Sequence, residues 1–578
     1  MSLSPFLSRL DSNYAAEGDD IPQVERIIIQ SAGDLELIRL EMEHTHKVYM
    51  DLAKEHERLL SYIEAHRALL APVRRLPVEV LQEIFQHCVP EKVEETVVDT
   101  RYAPVLLTHI CRSWRRIATA TPVLWSSVHI VLPRPKPDVR GQTQAIHNRT
   151  LRAVTEWLSR SASLPLHVSI LDPDTRFSVT DPLSERLIKL VLSYSHRWRS
   201  LSLNIPARFL DKYIVGLPSS SLPLLRNLTV REAYTQWRGE FSSDMRPGAP
   251  WRSVGIMHAP RLSNISMWYS PADLRREKFP QLPLRWSLLT SIDLHVSDPE
   301  NNTPDISSPA LMSTLAQCTN LLVCSLQSRA QRDGGPHSNI QKYLGPKVLL
   351  PRLEYLCIEG DAEDFSSFME ELETPALRTL KLMVQLSKDA NTRYRPAVAS
   401  FLRQYAPELR ALTIAPITVP SASFLDLLEN LGNLRVLHLL GRAWTPPYDN
   451  VTPNVHPPSG VRRDGFTIDS YLFKLLAGAF WDAQSNETVL LPKLEVFHCD
   501  MLGEGHISDG DLVHFLMARR LTLQNSNAVP LGCVRLQEMN IELNRPRDMT
   551  STTLQRRLKP YISGSCKIAI KYLDQEEE

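Results

Sequence analysis

The sequence predicts a mixed α and α/β fold, in which a long N-terminal helix and three short helices precede an array of strand and helix units. Three observations lead to this prediction. A heptad pattern free of glycine and proline runs from residue 34 to residue 71. Three short segments, each with one apolar face, come next. After residue 197 a short leucine pattern recurs at intervals of 24 to 60 residues.

The composition narrows the class of protein. At 578 residues the chain is too long for one compact core, so its length favours several domains or one long repeat array. Lys and Arg together number 65, as do Asp and Glu, and this net charge of zero argues against a protein that mainly binds nucleic acid or an anionic membrane. A hydrophobic content of 43% and a charged content of 22% are globular values and exclude wholesale disorder.

The cysteines and the N-terminus indicate an intracellular environment. Because no cysteine pair has Cys-x-x-Cys spacing, we expect buried free thiols in a reducing compartment rather than a zinc site or a disulfide framework. No signal-peptide core is visible, and no apolar run reaches the roughly 18 residues of a membrane span. We therefore expect a soluble protein of the cytoplasm, the nucleus or both, without cofactor or metal. The cysteines are Cys88, Cys111, Cys318, Cys324, Cys357, Cys499, Cys533 and Cys566.

Residues 1–33 are expected to form a mobile leader, and residues 34–71 a long helix. The apolar spacing alternates between three and four residues over five heptads, and a helix of about 36 residues would extend about 54 Å. Two interpretations stay open: a helix packed on its own chain, or a coiled coil through which residues 34–70 form a homodimer. The seam positions are Leu35, Ile38, Met42, Thr45, Tyr49, Leu52, His56, Leu59, Ile63, His66 and Leu70.

Residues 72–130 contain the three short helical segments. Proline suits a first helical turn, and it stands near the start of the first segment and of the third. Three helices in about 55 residues cannot bury three apolar faces by themselves, so this part of the chain is expected to need a partner surface. The apolar positions are Leu81, Ile84, Phe85 and Cys88, then Leu106, Ile110, Trp114 and Ile117, then Leu124 and Trp125.

The three segments also carry sequence blocks in a characteristic order. The blocks are Leu76-Pro77-x-Glu79-x-Leu81-x-x-Ile84-Phe85, Ile110-Cys111-Arg112-Ser113-Trp114-Arg115-x-Ile117-Ala118 and Thr121-Pro122-x-Leu124-Trp125. Together they resemble an F-box of the kind found in large families of mushroom-forming fungi, and the resemblance covers residues 74–127. One departure from the family pattern is an acidic insertion, Glu91–Thr100, between the first and second helices.

The resemblance implies a docking function. F-boxes bind the Skp adaptor, which attaches the protein to a cullin–RING ubiquitin ligase, and the rest of the chain selects the substrate. By position, eight residues would contact the adaptor or support the surface that does so. Alternatively, Ile84, Ile117 and Leu124 belong only to the core, and the sequence does not separate the two sets. The eight residues are Leu76, Pro77, Leu81, Ile84, Phe85, Trp114, Leu124 and Trp125.

A proline-rich stretch predicts an extended linker over residues 131–150, and residues 151–578 carry the recurring pattern Leu-x-x-Leu-x-Leu. Eleven copies predict an irregular leucine-rich-repeat solenoid, in which short strands point alternate side chains into a shared core. An ordinary α/β domain with leucine-rich strands is the alternative. The asparagine that follows a regular repeat is present only as Asn544. The copies begin at Trp198, Leu225, Leu262, Leu289, Leu321, Leu353, Leu377, Leu409, Leu434, Leu494 and Leu536.

Helices are expected over residues 397–405, 424–431 and 470–481, between copies of the pattern. Two long insertions, at 329–347 and 440–493, are expected either to project from the array and contact a partner or to be disordered. Residues 574–578 are expected to be a solvated tail.

No catalytic motif is visible. Gly503-Glu-Gly505 lacks the third glycine of a dinucleotide turn, because Gly510 comes too late. In Glu43-His44-Thr-His46 the two histidines are two residues apart on a helix and point away from each other. His498-Cys499-Asp500 lies at a strand end, where we expect core and rim positions.

We therefore expect a non-catalytic substrate-recognition subunit of an SCF-type (Skp–cullin–F-box) ubiquitin ligase, with the repeats binding a protein substrate. One alternative is a leucine-rich-repeat scaffold that holds a partner without ubiquitination. An unrecognised enzyme is the other. The sequence does not identify the substrate.

Overall fold

A computed structural model describes nineteen stretches of the chain. They are residues 4–132, 142–173, 182–205, 209–214, 216–232, 255–269, 284–298, 309–330, 345–361, 368–385, 394–415, 419, 421–440, 468, 470–477, 490–502, 509–520, 534–543 and 567–572. The chain divides into two compact units, Met1–Ile84 and Phe85–Glu578, and each is described by itself.

The first unit is dominated by one helix, α1 (Asp20–Leu70), of 51 residues. It begins fourteen residues before the predicted start at residue 34. The acidic Asp20 and the proline at position 22 suit a first helical turn, and a single Gly33 costs a helix interior only about 1 kcal/mol. No side chain of α1 is buried. A 3₁₀ turn, Pro72–Arg75, leads to α2 (Val78–Cys88), within which the second unit begins.

The second unit is built on a parallel sheet of fourteen strands. Its strands follow one another across the sheet in chain order, except that β8 and β10 pair separately with each other. The strands are β1 (Ser127–Val131), β2 (Leu166–Leu171), β3 (Trp198–Ile205), β4 (Asn227–Glu232), β5 (Asn264–Tyr269), β6 (Ser291–Asp298), β7 (Val323–Ala330), β8 (Val348–Leu349), β9 (Tyr355–Asp361), β10 (Leu372–Glu373), β11 (Thr379–Gln385), β12 (Ala411–Ile414), β13 (Val436–Leu440), β14 (Val496–Leu502), β15 (Glu538–Leu543) and β16 (Lys567–Tyr572).

The eleven predicted copies of the leucine pattern form eleven of these strands, β3 to β7, β9 and β11 to β15. All three apolar positions of every copy are buried. The copy at Leu434, for example, buries Leu434, Leu437 and Leu439 completely, while Val436 and His438 between them remain half-buried. This alternation with a period of two is what a strand with one buried face requires.

Helices connect many of the strands. They are α3 (Leu107–Ile110), α4 (Arg112–Thr119), α5 (Gln142–Arg160), α6 (Pro182–Leu192), α7 (Pro309–Leu315), α8 (Tyr394–Tyr405), α9 (Ser421–Asn430), α10 (Ser470–Ala477) and α11 (Asp509–Arg520). The helices predicted at 397–405 and 424–431 are confirmed by α8 and α9, and α10 covers the first part of 470–481. Phe473 of α10 and Phe515 of α11 pack edge-on against each other and contact Phe497 of β14, which shows how the helices cover the buried face.

Several predictions concern residues at the margins of the sheet. The predicted linker 131–150 is helical from Gln142 onward, and Pro133–Gly141 lies outside the described residues. Most of the insertions 329–347 and 440–493 and all of the tail 574–578 also lie outside them. Among the helices of the described residues, none combines the length and apolar character needed to cross a membrane.

Candidate docking surfaces

Helix α2 carries two apolar stripes. Leu81 and Phe85 are buried, whereas Val80 and Ile84 are 43% and 40% exposed. Because successive residues of a helix are rotated by about 100°, the two stripes are adjacent on the helix surface but face different directions. The exposed stripe is the part of α2 that is accessible to another protein. The two residues before the helix are Leu76, which is half-buried, and Pro77, which is exposed.

Phe85 packs against Trp114 of α4 inside the second unit. The ring centroids are 4.9 Å apart and the planes are inclined at 56°. Cys111 caps α4, since its Sγ accepts the backbone N–H of Trp114 at 3.4 Å. Arg115 Nε donates to the Thr108 carbonyl oxygen at 2.7 Å and ties α4 to α3. Phe85 is fully buried and serves as core, while the half-buried Trp114 keeps an accessible portion.

Four further apolar side chains in this segment are exposed. Tyr102, Leu106, Ile110 and Val123 are 49%, 39%, 54% and 41% exposed, respectively. The prediction placed Leu106 and Ile110 with Trp114 and Ile117 on one apolar face, of which only Ile117 is fully buried. Several large apolar side chains exposed to solvent within one short segment are typical of a protein interaction surface.

Leu124 and Trp125 lie in the core that joins the helical segment to the sheet. Trp125 has no exposed surface, and its ring contacts that of Trp157 in α5 edge-on at a centroid distance of 5.0 Å. Its Nε1 donates to the Ala118 carbonyl oxygen at 2.8 Å, and the Arg160 guanidinium lies 4.6 Å from its ring centroid. Of the eight residues that the resemblance implies, Leu81, Phe85, Leu124 and Trp125 are therefore buried.

The insertion that departs from the family pattern covers the edge of the sheet. The backbone N–H of His129 in β1 donates to the Thr96 carbonyl oxygen at 2.8 Å, and Val97 forms a parallel bridge with His129. An uncovered edge strand would offer its free N–H and C=O groups to other chains, so the insertion protects β1 from edge-to-edge pairing.

The other face of the sheet carries a mostly polar row, in which His129, Ser169, Ser202, Cys357 and Thr413 are themselves buried. In each strand one side chain stands between the two buried positions and points to this second face. The sequence analysis assigned no binding residue to this row. Its members, in register from β1 to β15, are His129, Ser169, Ser202, Thr229, Ser266, Asp293, Ser325, Cys357, Lys381, Thr413, His438, His498 and Asn540.

A hydrogen-bonded chain crosses the middle of the second face. Asp293 Oδ1 lies 2.9 Å from His295 Nε2, and Ser266 Oγ donates to Asp293 Oδ2 at 2.8 Å. His295 also hydrogen-bonds to Gln327, which donates to Glu359. Burial by itself would raise the pKa of Asp293, but these hydrogen bonds outweigh burial and lower it, so the carboxylate stays charged.

Two histidine–carboxylate pairs stand further along the same face. His438 Nε2 lies 2.5 Å from Asp500 Oδ2, and His498 Nε2 lies 3.2 Å from Glu538 Oε1. The two imidazole centroids are 5.6 Å apart. Each pair joins residues at least 40 positions apart in sequence, and only strand pairing brings them together.

These side chains form no catalytic or metal-binding constellation within the described part of the chain. No cluster of three or more His, Cys, Asp or Glu side chains there is suited to hold a metal ion. Neither His438 nor His498 hydrogen-bonds to a hydroxyl or thiol among these residues. The His498-Cys499-Asp500 stretch has Cys499 in the core and its two neighbours on the second face.

The thiols divide into two groups. Cys318, Cys324, Cys357 and Cys499 are buried, and burial raises the pKa of Cys318 to about 12. Cys88 and Cys111 are exposed, which corrects the expectation of uniformly buried cysteines. Cys88 ends α2, and Cys111 is exposed because its side chain is used as the cap of α4. Cys533 and Cys566 lie outside the described residues.

No model of a protein family matches the chain, and no curated protein is significantly similar to it in sequence.

Proposed function

We propose that the chain is the substrate-recognition subunit of an SCF-type ubiquitin ligase, in which residues 72–130 are an F-box that docks a Skp-type adaptor. The observation that carries the proposal is the exposure of apolar side chains within the three sequence blocks. Ile84 of the first block and Ile110 of the second remain 40% and 54% exposed. Covering the exposed part of such apolar side chains with a partner lowers the free energy.

We further propose that the strand array is an irregular leucine-rich-repeat solenoid. In support, the eleven copies form parallel strands in chain order, and each copy buries the same three positions. The second face would then be the substrate platform. Its row is mostly polar and includes one acid, Asp293, one lysine, Lys381, and histidines held in hydrogen bonds, so it suits a polar protein surface of mixed charge rather than an apolar ligand.

The experiment is a binding titration of the purified full-length chain against a fungal Skp-type adaptor. Ile84→Glu should weaken binding by at least about 30-fold, the effect of removing an interface hot spot. Leu288→Glu is the matched control, because Leu288 is an aliphatic side chain of the same size and similar exposure, 42%, but lies before β6. Equal affinity of wild type and Ile84→Glu would overturn the proposed surface.

Ile84 is a better probe than Phe85. Phe85 is fully buried against Trp114, so Phe85→Ala would lower the free energy of unfolding by about 3–5 kcal/mol. Weaker adaptor binding by that variant would then not distinguish a lost contact from misfolding. Circular dichroism spectra and melting temperatures of both glutamate variants should match the wild type, since both sites are exposed.

A scaffold without ubiquitination is the second candidate. The observation that favours it is that Leu124, Trp125 and the insertion Glu91–Thr100 serve the sheet, as its core and its edge cover. On this account the helical segment is the N-terminal end of the array. Adaptor binding without recruitment of a cullin would support the scaffold over the ligase subunit.

A further inference from the structure

We propose that α1 forms a parallel two-stranded coiled coil with a second copy of this chain. This inference is independent of the adaptor and concerns the first unit alone. The helix has 51 residues, and none of its side chains is buried. Isolated helices in water are marginal, and most helical stability in proteins comes from packing an apolar face. A helix about 77 Å long therefore needs a partner of comparable length.

The heptad seam extends further than the sequence analysis assumed. Because α1 begins at Asp20, the same spacing continues upstream through Ile21, Val24, Ile28 and Ser31 and joins the seam that starts at Leu35. Eleven of the fifteen a and d positions from residue 21 to residue 70 are then apolar. They include Leu35, Met42, Tyr49 and Leu52, which are 71%, 68%, 66% and 65% exposed, respectively.

A second copy is the occupant that fits this seam. A repeat kept at 3.5 residues over seven heptads winds two helices around each other with a left-handed supercoil, and the partner must carry the same period over the same length. A second α1 meets both conditions. The polar seam positions Ser31, Thr45, His56 and His66 then face their own counterparts, which fixes the register of two identical helices.

Flanking charges favour the parallel orientation. In a parallel pair, Asp34 at a g position meets Arg39 of the other helix at e. In the fully overlapped antiparallel pair, Asp34 would instead meet Glu55, which carries the same charge. The parallel pair has one like-charged contact, between Asp20 and the glutamate at position 25, at its N-terminal end.

The test is the mass of the full-length chain in solution, measured by light scattering and sedimentation equilibrium. We expect twice the chain mass of 65.7 kDa. Ile38→Glu with Leu52→Glu places acids in the seam and should raise the dimer dissociation constant at least about 100-fold. The matched control is Leu37→Glu with Leu40→Glu, two leucines that are 64% and 51% exposed but lie at the outer c and f positions.

Orientation is tested separately by Leu35→Cys. The variant is made in a chain whose exposed Cys88 and Cys111 are replaced by serine. In a parallel coil the two introduced thiols face each other, so mild oxidation should give a covalent dimer that the same serine-substituted chain without Leu35→Cys does not form. A monomeric wild type, or a dimer disrupted equally by seam and outer substitutions, would overturn the proposal. A dimer that Leu35→Cys fails to cross-link would overturn the parallel orientation.

Discussion

Two buried tryptophans occupy the same place in their strands and differ in one hydrogen bond. Trp125-Ser-Ser-Val128-His-Ile130 repeats the pattern of Trp198-Arg-Ser-Leu201-Ser-Leu203, and both rings are fully buried. Trp125 Nε1 donates to the Ala118 carbonyl oxygen at 2.8 Å. Trp198 Nε1 has no hydrogen-bond partner among the described residues. The pair therefore compares a hydrogen-bonded indole, which also contacts the Arg160 guanidinium, with an indole whose N–H has no partner among the described residues.

We expect Trp125→Phe to destabilise the chain by about 2–4 kcal/mol more than Trp198→Phe does. Both substitutions remove similar volume from a buried site, so their cavity costs largely cancel. Trp125→Phe in addition loses a hydrogen bond with a net value of about 1 kcal/mol. Trp198→Phe instead removes a buried donor without a partner, which relieves a cost of about 1–3 kcal/mol.

The measurement is urea denaturation of the full-length chain followed by circular dichroism, combined with hydrogen exchange resolved to β1 and β3. Trp125→Phe should lower the free energy of opening at β1 amides, whereas Trp198→Phe should change β3 little. If the two variants cost the same within about 0.5 kcal/mol, the indole hydrogen bond does not hold the segment to the sheet, and that reasoning fails.

Two further predictions concern titration and thiol chemistry. Burial lowers the pKa of His129, so below about pH 6.5 the unfolded chain binds more protons than the folded one, and stability should fall as the pH drops from 7.5 to 5.5. His129→Gln should make the melting temperature fall less steeply with falling pH, whereas His109→Gln, at an exposed site, should not. Equal slopes of melting temperature against pH in the two variants would refute this prediction. Native alkylation followed by peptide mass spectrometry should label Cys88 and Cys111 within minutes, and rapid labelling of the buried thiols would contradict the packing of the core. The buried thiols are Cys318, Cys324, Cys357 and Cys499.

The strand array was predictable because the pattern Leu-x-x-Leu-x-Leu combines a spacing of three residues with a spacing of two. Alternation places the last two apolar residues of each copy on one face, and the first apolar residue, three positions earlier, closes the turn into the strand. β1 was also visible in principle, since Trp125 repeats the start of the Trp198 copy. β2 was not, because Pro165 stands where the first apolar residue of the pattern would be.

The start of α1 and the polar surface were missed for different physical reasons. The prediction started the helix after Gly33, although a single glycine destabilises a long helix only slightly. The contacts of His438 with Asp500 and of His498 with Glu538 depend on the register of neighbouring strands. The repeat order makes the strands of consecutive copies neighbours, but the pattern does not specify which polar side chains of adjacent strands form hydrogen bonds.

The central claim is that the exposed apolar side chains within residues 72–130 dock an adaptor. Calorimetric titration of the full-length chain with a fungal Skp-type adaptor tests this claim most directly. We predict one adaptor bound per chain, with binding weakened at least about 30-fold by Ile84→Glu and unchanged by Leu288→Glu. Absence of binding by the folded wild-type chain at adaptor concentrations of roughly 100 μM would contradict the claim.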